Sequence, residues 1–157
     1  MSVGAVLWVV LAVLITVILA WAYMTAQRLN RLHIRTDAAR AQLQAALDRR
    51  AAVTAAIYPA ARRTAAQAEA IPLAPERFMD RASQEAEISR IIAAAAEEQP
   101  GQIVDAHARL QLAHRFYNDA VRSTRELRTR PLVRFLRLGG TAPLPEYFEF
   151  VDDTLLD

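Results

Sequence analysis

The stretch that decides the fold is QIVDAHARLQLAHRFYNDAVRSTRELR, Gln102 to Arg128. Small or apolar residues recur in it at alternating intervals of three and four, which is the spacing of one face of an α-helix. This seam consists of Ile103, Ala106, Leu110, Ala113, Tyr117, Ala120, Thr124 and Leu127. Helices with such seams pack as left-handed antiparallel bundles. The stretch therefore predicts a long helix in an all-α protein.

Two further segments, separated by proline-containing breaks, carry similar seams. The first continues from the N-terminal region to about Ile57 or somewhat past Pro59, and the second runs from about Pro75 to Glu98. Their seams are Leu29, Leu32, Ala39, Leu43, Ala46, Val53 and Ile57, interrupted by Thr36 and Arg50, and then Phe78, Ala82, Ile88, Ile92 and Ala95. We predict an antiparallel three-helix, coiled-coil-like bundle over residues 28–138.

The first helix begins with an apolar run, VGAVLWVVLAVLITVILAWAYMTA, which covers residues 3–26 without a charged side chain. At 1.5 Å per residue this run is about 36 Å long, enough to cross a bilayer with some tilt. Trp8 and Trp21 lie near its ends, where interfacial aromatic residues are expected. A cleaved signal peptide competes with this interpretation, but the run is long and no arginine precedes it. We predict an uncleaved transmembrane anchor over residues 1–27.

Basic residues lie on one side of this span only. Arg28, Arg31, Arg35 and Arg40 follow it directly, so the positive-inside rule places the body in the cytoplasm and the N-terminus outside. All 19 basic residues are arginine and alanine is abundant, which is typical of proteins from GC-rich bacterial genomes. The prediction is a single-pass protein of a bacterial inner membrane.

Within the span, Ala12, Thr16 and Ala20 form a stripe of small residues at intervals of four. Such a stripe lets a second transmembrane helix approach closely. An alanine-rich span also produces such stripes by chance. The three residues are candidate contacts with a partner helix.

Charge is distributed unevenly along the chain. Residues 28–137 carry every arginine against twelve acids, whereas residues 139–157 carry five acids and no base, which marks an acidic C-terminal tail. The arginines are interleaved with acids at helical spacing, and the chain has no nucleic-acid-binding motif or aromatic stacking surface. We therefore predict protein partners and lipid, but no nucleic acid.

The long C-terminal helix contains an unusual Tyr-Asn-Asp triplet, residues 117–119. Asn and Asp are poor helix formers, and on the seam register they project outward beside Arg115 and Arg122. Local pairing of Asp119 with these arginines is one explanation. The other is a docking face, for a partner or for the acidic tail through Glu146 and Glu149. Candidate partner-binding residues here are Arg115, Asn118, Asp119 and Arg122.

Residues 128–138, RTRPLVRFLRL, form a short basic amphipathic helix that alone resembles a membrane-surface element. A three-helix path nevertheless ends about 45 Å from the bilayer at 1.5 Å per residue. This path predicts that the segment caps the bundle near Tyr58. A basic pole would then form from Arg62, Arg63, Arg130, Arg134 and Arg137, with Arg134 and Arg137 as candidate contacts with an acidic surface.

No catalytic, metal-binding or cofactor-binding residues are predicted. The chain has no cysteine, Gly-rich phosphate loop, GxSxG, HExxH or paired-acid motif. His107 and His114 are seven residues apart, about 10 Å along a helix, which is too far to share a metal. His33 and Asp37 have metal-ligand spacing, but a surface hydrogen bond explains them better.

Several short motifs together resemble the LemA family. They are the N-terminal span, LDRR at residues 47–50, RFYNDAV at residues 115–121 and the ending PEYFEF at residues 145–150. The chain departs from the family pattern at His107 and His114, and it lacks a Pro-Asn pair after the double arginine. The resemblance implies a diverged, membrane-anchored helical bundle with no established catalytic residues.

Two functions are consistent with these features. The first is a non-enzymatic, membrane-anchored scaffold or adaptor that binds proteins on the cytoplasmic side and can associate with itself. The second is an accessory subunit of a larger integral-membrane complex, for example a respiratory-chain assembly, held by its span.

Overall fold

The structure is a computed structural model, and it describes residues 2–95, 99–140 and 143–150. Five α-helices follow one another in the described part: α1 Val3–Ile57, α2 Arg62–Glu69, α3 Phe78–Ala95, α4 Gly101–Arg128 and α5 Pro131–Phe135. Short 3-10 turns, Pro59–Ala61 and Pro75–Arg77, precede α2 and α3. These residues contain no strand, so the all-α prediction is confirmed. The predicted end of the second helix at Glu98 lies outside the described residues.

Helix α1 is a single uninterrupted helix of 55 residues, about 80 Å long at 1.5 Å per residue. Its N-terminal part is long and apolar enough to cross a membrane, with a mean hydropathy of 2.9 over the best window and none of that window buried. The same helix continues into the bundle. It ends before Pro59, where Tyr58 is extended with φ −113° and ψ 102°, as expected for a residue that precedes proline.

Helix α2 was not predicted, and it changes the path of the chain. After the turn at Pro59 it folds back along α1 with Ala65 and Ala68 buried, and by Leu73 the backbone N–H donates to Gln44 Oε1 at 3.3 Å. Helix α3 therefore runs away from the span, parallel to α1, and α4 returns toward the span. The break at Pro59 is visible in the sequence. Helix α2 was missed because its eight residues are too few to show a periodic apolar seam.

The seam predicted for α4 forms the core of the bundle, whereas the seam predicted for α1 is only partly correct. Leu29, Ala39 and Leu43 are buried, but the second half of the core face consists of Leu47, Ala51 and Thr54. The other predicted α1 seam residues are partly buried: Leu32, Ala46, Val53 and Ile57. In α4 every seam residue is buried except Ala113, which is partly buried. The two polar interruptions in α1, Thr36 and Arg50, are also buried. Thr36 Oγ1 lies 3.0 Å from Thr124 Oγ1, so a hydroxyl pair satisfies both side chains at the α1–α4 contact.

The predicted far-pole position of residues 128–138 is wrong. Val133 is buried with Leu29 and Leu127 next to the end of the span, while Arg62 and Arg63 lie at the opposite end of the bundle. The physical reason is the extra reversal at α2, which turns α4 toward the apolar N-terminal part of α1. The expected basic pole is therefore split, and Arg134 and Arg137 lie beside the span instead of near Tyr58.

After α5 the chain turns back along the bundle through two glycines. Gly140 has φ +63°, a conformation that favours glycine. A Cβ on Gly139 would lie 2.9 Å from Arg128 Nε, so a larger residue at this position would have to displace the Arg128 side chain. Residues 143–150 then lie along α4.

Two leucines of α4 test the register of the bundle. Leu110 is fully buried and Leu112 is 54% exposed. We expect Leu110→Ala to lower the free energy of unfolding by about 2–5 kcal/mol, because it leaves a cavity in the core. Leu112→Ala should change it by less than about 0.5 kcal/mol. Urea unfolding of the full-length protein in detergent, followed by circular dichroism, measures both, and equal losses would contradict the register.

Candidate functional site

A network of charged side chains lies inside the bundle between α1 and α3. Arg50 Nη2 donates to Glu85 Oε2 at 3.1 Å, to the Glu85 carbonyl at 3.0 Å and to Ser89 Oγ at 3.0 Å. Arg81 donates to the other carboxylate oxygen of Glu85 at 2.9 Å and to Asp48 Oδ1 at 2.8 Å. The side chains of Arg50, Arg81 and Glu85 are fully buried. Two arginines face two carboxylates, so their formal charges balance.

Glu85 is the centre of this network. Burial raises the pKa of Glu85 above its ordinary value, and the neighbouring Arg50 and Arg81 oppose that rise. A perturbed buried carboxyl occurs both in active sites and in structural ion pairs. Both oxygens of Glu85 accept hydrogen bonds from arginines, so the arrangement holds α1 against α3 and offers no free base.

The Tyr-Asn-Asp triplet of α4 binds the chain's own C-terminal segment. Asn118 Nδ2 donates to the Phe148 carbonyl at 3.2 Å, and Asn118 Oδ1 accepts from the Phe148 N–H at 3.2 Å. This pair imitates one rung of a β-ladder. The same carbonyl accepts a hydrogen bond from His114 Nε2 at 2.6 Å. Asn118 is therefore half-buried against the tail and does not project freely outward.

Other side chains of α4 also hold the backbone of this segment. Three donate to its carbonyls: Tyr117 to Glu146 at 2.7 Å, Arg125 to Pro145 at 2.9 Å and Arg128 to Pro143 at 2.8 Å. Burial raises the pKa of Tyr117 to about 12, so its hydroxyl stays protonated and remains a donor. One of the two explanations of the triplet is a docking face for the tail through the carboxylates of Glu146 and Glu149, but the contact of Glu146 with Tyr117 is made by the Glu146 backbone.

Phe148 anchors the segment in the core. Its side chain is fully buried, and its ring makes an edge contact with Phe78 at 5.2 Å between centroids. Phe78 makes a second edge contact, with Tyr117 at 6.3 Å. The C-terminal motif thus completes the core between α3 and α4. This contact was missed from the sequence, although a phenylalanine within an acidic tail is a signal for it.

The outer face of α4 carries the remaining candidate residues of the triplet region. Asp119 pairs with Arg122 at 3.1 Å, which supports the explanation by local pairing, and Arg115 is exposed. Two large apolar side chains lie on the same face: Leu112, 54% exposed, and Phe116, 49% exposed. We call Leu112, Arg115, Phe116, Asp119 and Arg122 the outer α4 face. Tail contacts occupy the adjacent flank, and none of the residues that the structure describes covers this face.

The small-residue stripe of the span also remains uncovered by the described residues. Thr16 Oγ1 donates to the Ala12 carbonyl at 2.8 Å, so its hydroxyl is satisfied within the helix. At 3.6 residues per turn, the centre of the stripe lies about 120° around α1 from Val17 and Trp21, which line the cleft beside α5. The stripe is therefore open to a second helix.

A cleft of about 380 Å³ lies between α1, α4, the turn before α3 and the tail. Its lining includes His33, Asp37, Arg40, Tyr117 and Glu146. Asp37 contacts Arg40 at 3.4 Å and not His33 as expected. In residues 2–95, 99–140 and 143–150, no cluster of three or more His, Asp or Glu side chains is suited to a metal ion. The cleft supplies no assembled nucleophile and base.

Comparisons of the chain with protein-family models, with curated proteins and with solved structures give no match. The resemblance to the LemA family therefore stays a prediction. The motifs behind it nevertheless have defined positions in the fold: Asp48 and Arg50 join the buried network, Asn118 binds the tail, and Phe148 fills the core.

The Asn118 contact can be tested by its effect on the tail. Asn118→Ala removes both hydrogen bonds to Phe148, each worth about 1 kcal/mol. We expect hydrogen exchange of the Phe148 amide to accelerate roughly tenfold or more. Asp119→Ala is the matched control, because its side chain bonds only locally to Arg122. Unchanged exchange in the Asn118 variant would show that this side chain does not hold the tail.

The buried network predicts a large stability effect at Glu85. Glu85→Gln leaves two buried guanidinium groups facing one carboxylate, and we expect it to cost about 3–5 kcal/mol. Glu87→Gln is the control, since Glu87 forms an exposed pair with Arg90 at 2.8 Å and its loss should cost below about 1 kcal/mol. Chemical unfolding in detergent measures the free energy of unfolding of both variants. Similar losses would show that the buried network contributes no more to stability than an exposed ion pair.

Proposed function

We propose that this chain is a non-enzymatic, membrane-anchored helical scaffold or adaptor of the LemA-like type. Its N-terminal span anchors it in a bacterial inner membrane, with the N-terminus outside and the body in the cytoplasm. The arginines that follow the span support this orientation through the positive-inside rule. The body binds proteins through its surface, and self-association is one form of that binding.

The observation that carries this proposal is the outer α4 face. Leu112 and Phe116 expose about half of their side-chain surface on a helix whose opposite side is fully packed. Exposed aromatic and arginine side chains are enriched at the centres of protein interfaces. Arg115 and Asp119 add charges of both signs beside them. The face therefore offers an apolar centre and a polar rim to a partner.

A second function has its own supporting observation. Ala12, Thr16 and Ala20 are exposed and do not line the cleft beside α5, so within the described residues the stripe is accessible to another transmembrane helix. Small residues at this spacing permit close helix approach in a bilayer. On this alternative the chain is an accessory subunit of a larger integral-membrane complex, and its span provides the contact.

Purification from the native membrane in mild detergent, with companions identified by mass spectrometry, tests the adaptor proposal. We expect Leu112→Glu/Phe116→Glu to lose the companions of the wild-type protein, because charges replace the apolar centre of the face. Met79→Glu is the matched control, an 84% exposed apolar residue of α3 outside the face. Retention of all companions by the double variant would rule out this face as the contact.

The same purification separates the two functions. Bulky substitutions at Ala12, Thr16 and Ala20 should remove the companions of an accessory subunit, since they block helix approach within the bilayer. An adaptor should keep its companions when the stripe is changed and lose them when the outer α4 face is changed.

A further inference from the structure

Helix α5 lies directly beside the C-terminal end of the span. Between them lies an open cleft of about 450 Å³ with an entirely apolar surface. Its lining residues are Val17, Ile18, Trp21, Leu132, Phe135 and Leu136. Val133, on the other side of α5, is buried with Leu29 and Leu127. Val133 thus packs against the bundle, whereas Leu132, Phe135 and Leu136 line the cleft beside the span.

The exposed side of α5 is unusually apolar. Phe135 is 82% exposed, Leu132 is 61% exposed and Leu136 is 39% exposed. The core contact of this helix is made by Val133, so packing of the bundle does not require these three side chains to be large and apolar. Contiguous exposed apolar surface next to a membrane span is typical of an element that enters the lipid interface.

Basic side chains surround this apolar surface. Arg130, Arg134 and Arg137 are exposed on and around α5, and Arg28 and Arg31 are exposed on the first turns of α1 after the apolar run. Arginines close to a bilayer surface are attracted to anionic lipid head groups. The charge and the apolar surface therefore point to the same ligand.

The backbone at the end of α5 adds an independent observation. Arg137 has φ 50°, the left-handed conformation in which helices usually place glycine. Its N–H donates to the Arg134 carbonyl at 3.1 Å, and the Leu138 N–H donates to the Val133 carbonyl at 3.1 Å, which together form a Schellman motif. An arginine at this position keeps a positive charge next to Phe135 despite an unfavourable backbone conformation.

The depth of α5 agrees with a position at the lipid interface. The apolar run of residues 3–26 is about 36 Å long, and the hydrocarbon core of a bilayer is about 30 Å thick. Trp21 therefore lies near the boundary of the core, where tryptophan is favoured. Since Val17, Ile18 and Trp21 line one cleft with Phe135, the apolar side of α5 extends from this boundary into the adjoining part of the hydrocarbon core.

We propose that α5 is a second membrane-contact element that binds anionic phospholipids. Leu132, Phe135 and Leu136 enter the upper acyl-chain region next to the span, and Arg134 and Arg137 bind the phosphate groups above it. The bundle is then attached to the bilayer at two points, α1 and α5, and its tilt about the span is restricted. This attachment rests on insertion of the span, but not on any protein partner.

The experiment uses the full-length protein, which has no native cysteine, in two kinds of vesicle. One contains phosphatidylcholine alone, and the other also contains phosphatidylglycerol; in both, the lipids carry bromine in the upper acyl chain. An environment-sensitive fluorophore is attached in separate samples at Phe135→Cys, at Leu14→Cys within the span and at Leu112→Cys on the outer α4 face. We expect quenching at residues 14 and 135 but not at 112, and stronger quenching at 135 when phosphatidylglycerol is present.

Charge reversal supplies the matched comparison. Arg134→Glu/Arg137→Glu is combined with the probe at residue 135. We expect this variant to lower the equilibrium constant for insertion of α5 into the interface roughly tenfold or more, because each arginine near an anionic surface raises that constant on the order of fivefold. Arg115→Glu/Arg122→Glu reverses the same number of charges on α4 and should leave the quenching unchanged. Circular dichroism confirms that each variant retains its helices.

Three results would overturn the proposal. Quenching at residue 14 without quenching at residue 135 would place α5 in water while the span remains inserted. If quenching at residue 135 changes neither when phosphatidylglycerol is added nor when Arg134 and Arg137 are reversed, anionic head groups are excluded as the ligand. Loss of quenching at high protein density, together with disulfide cross-linking of an unlabelled Phe135→Cys sample, would show that a second copy covers α5. Lack of quenching at residue 14 would instead contradict the membrane anchor itself.

Discussion

The path of this chain depends on one backbone constraint, the proline at position 59. A proline cannot continue α1, and the residue before it is forced into an extended conformation, as Tyr58 shows. The chain therefore reverses at the far end of α1 and forms the short helix α2. With this additional reversal, α4 returns to the end of the bundle next to the apolar N-terminal part of α1, and α5 comes to lie beside that part. The location of Arg134 in α5, and of Arg130 and Arg137 on either side of it, follows from that single break.

The buried charged residues determine how α1 and α3 are aligned along their length. Apolar seams rich in alanine fit one another in more than one register, so they define the bundle but not a unique alignment of α1 and α3. The contacts of Arg50 with Glu85 and of Arg81 with Asp48 are satisfied in one alignment only. Buried ion pairs contribute little net stability because desolvation opposes their attraction, but an unpaired buried charge is costly. Shifted alignments are therefore penalised more strongly than the correct one is stabilised.

Much of this architecture could be predicted from the sequence, and the errors have physical reasons. Strong periodic signals gave the helices correctly: the seam from Ile103 to Leu127 is buried almost as predicted. Arg50 was recognised as an interruption of a seam, but its partner Glu85 could not be identified, because many acids have a suitable helical position. The role of Asn118 depends on a backbone group thirty residues away, and periodicity carries no information about such contacts. The predicted direction of α4 was wrong, because the short helix α2, which was not predicted, adds a reversal to the path of the chain.

The three sides of α4 have different surroundings. One side of the helix forms the core, the next flank holds the tail through Asn118 and Arg125, and the remaining side leaves Leu112 and Phe116 exposed. Residues that look distinctive in the sequence are therefore engaged inside the fold, whereas the surface available to a partner consists of less conspicuous side chains. Because α4 leads through two residues into α5, the orientation of that surface relative to the bilayer depends on how α5 sits beside the span. A contact of α5 with lipid head groups would thus fix the direction in which the outer α4 face is presented, without touching that face itself.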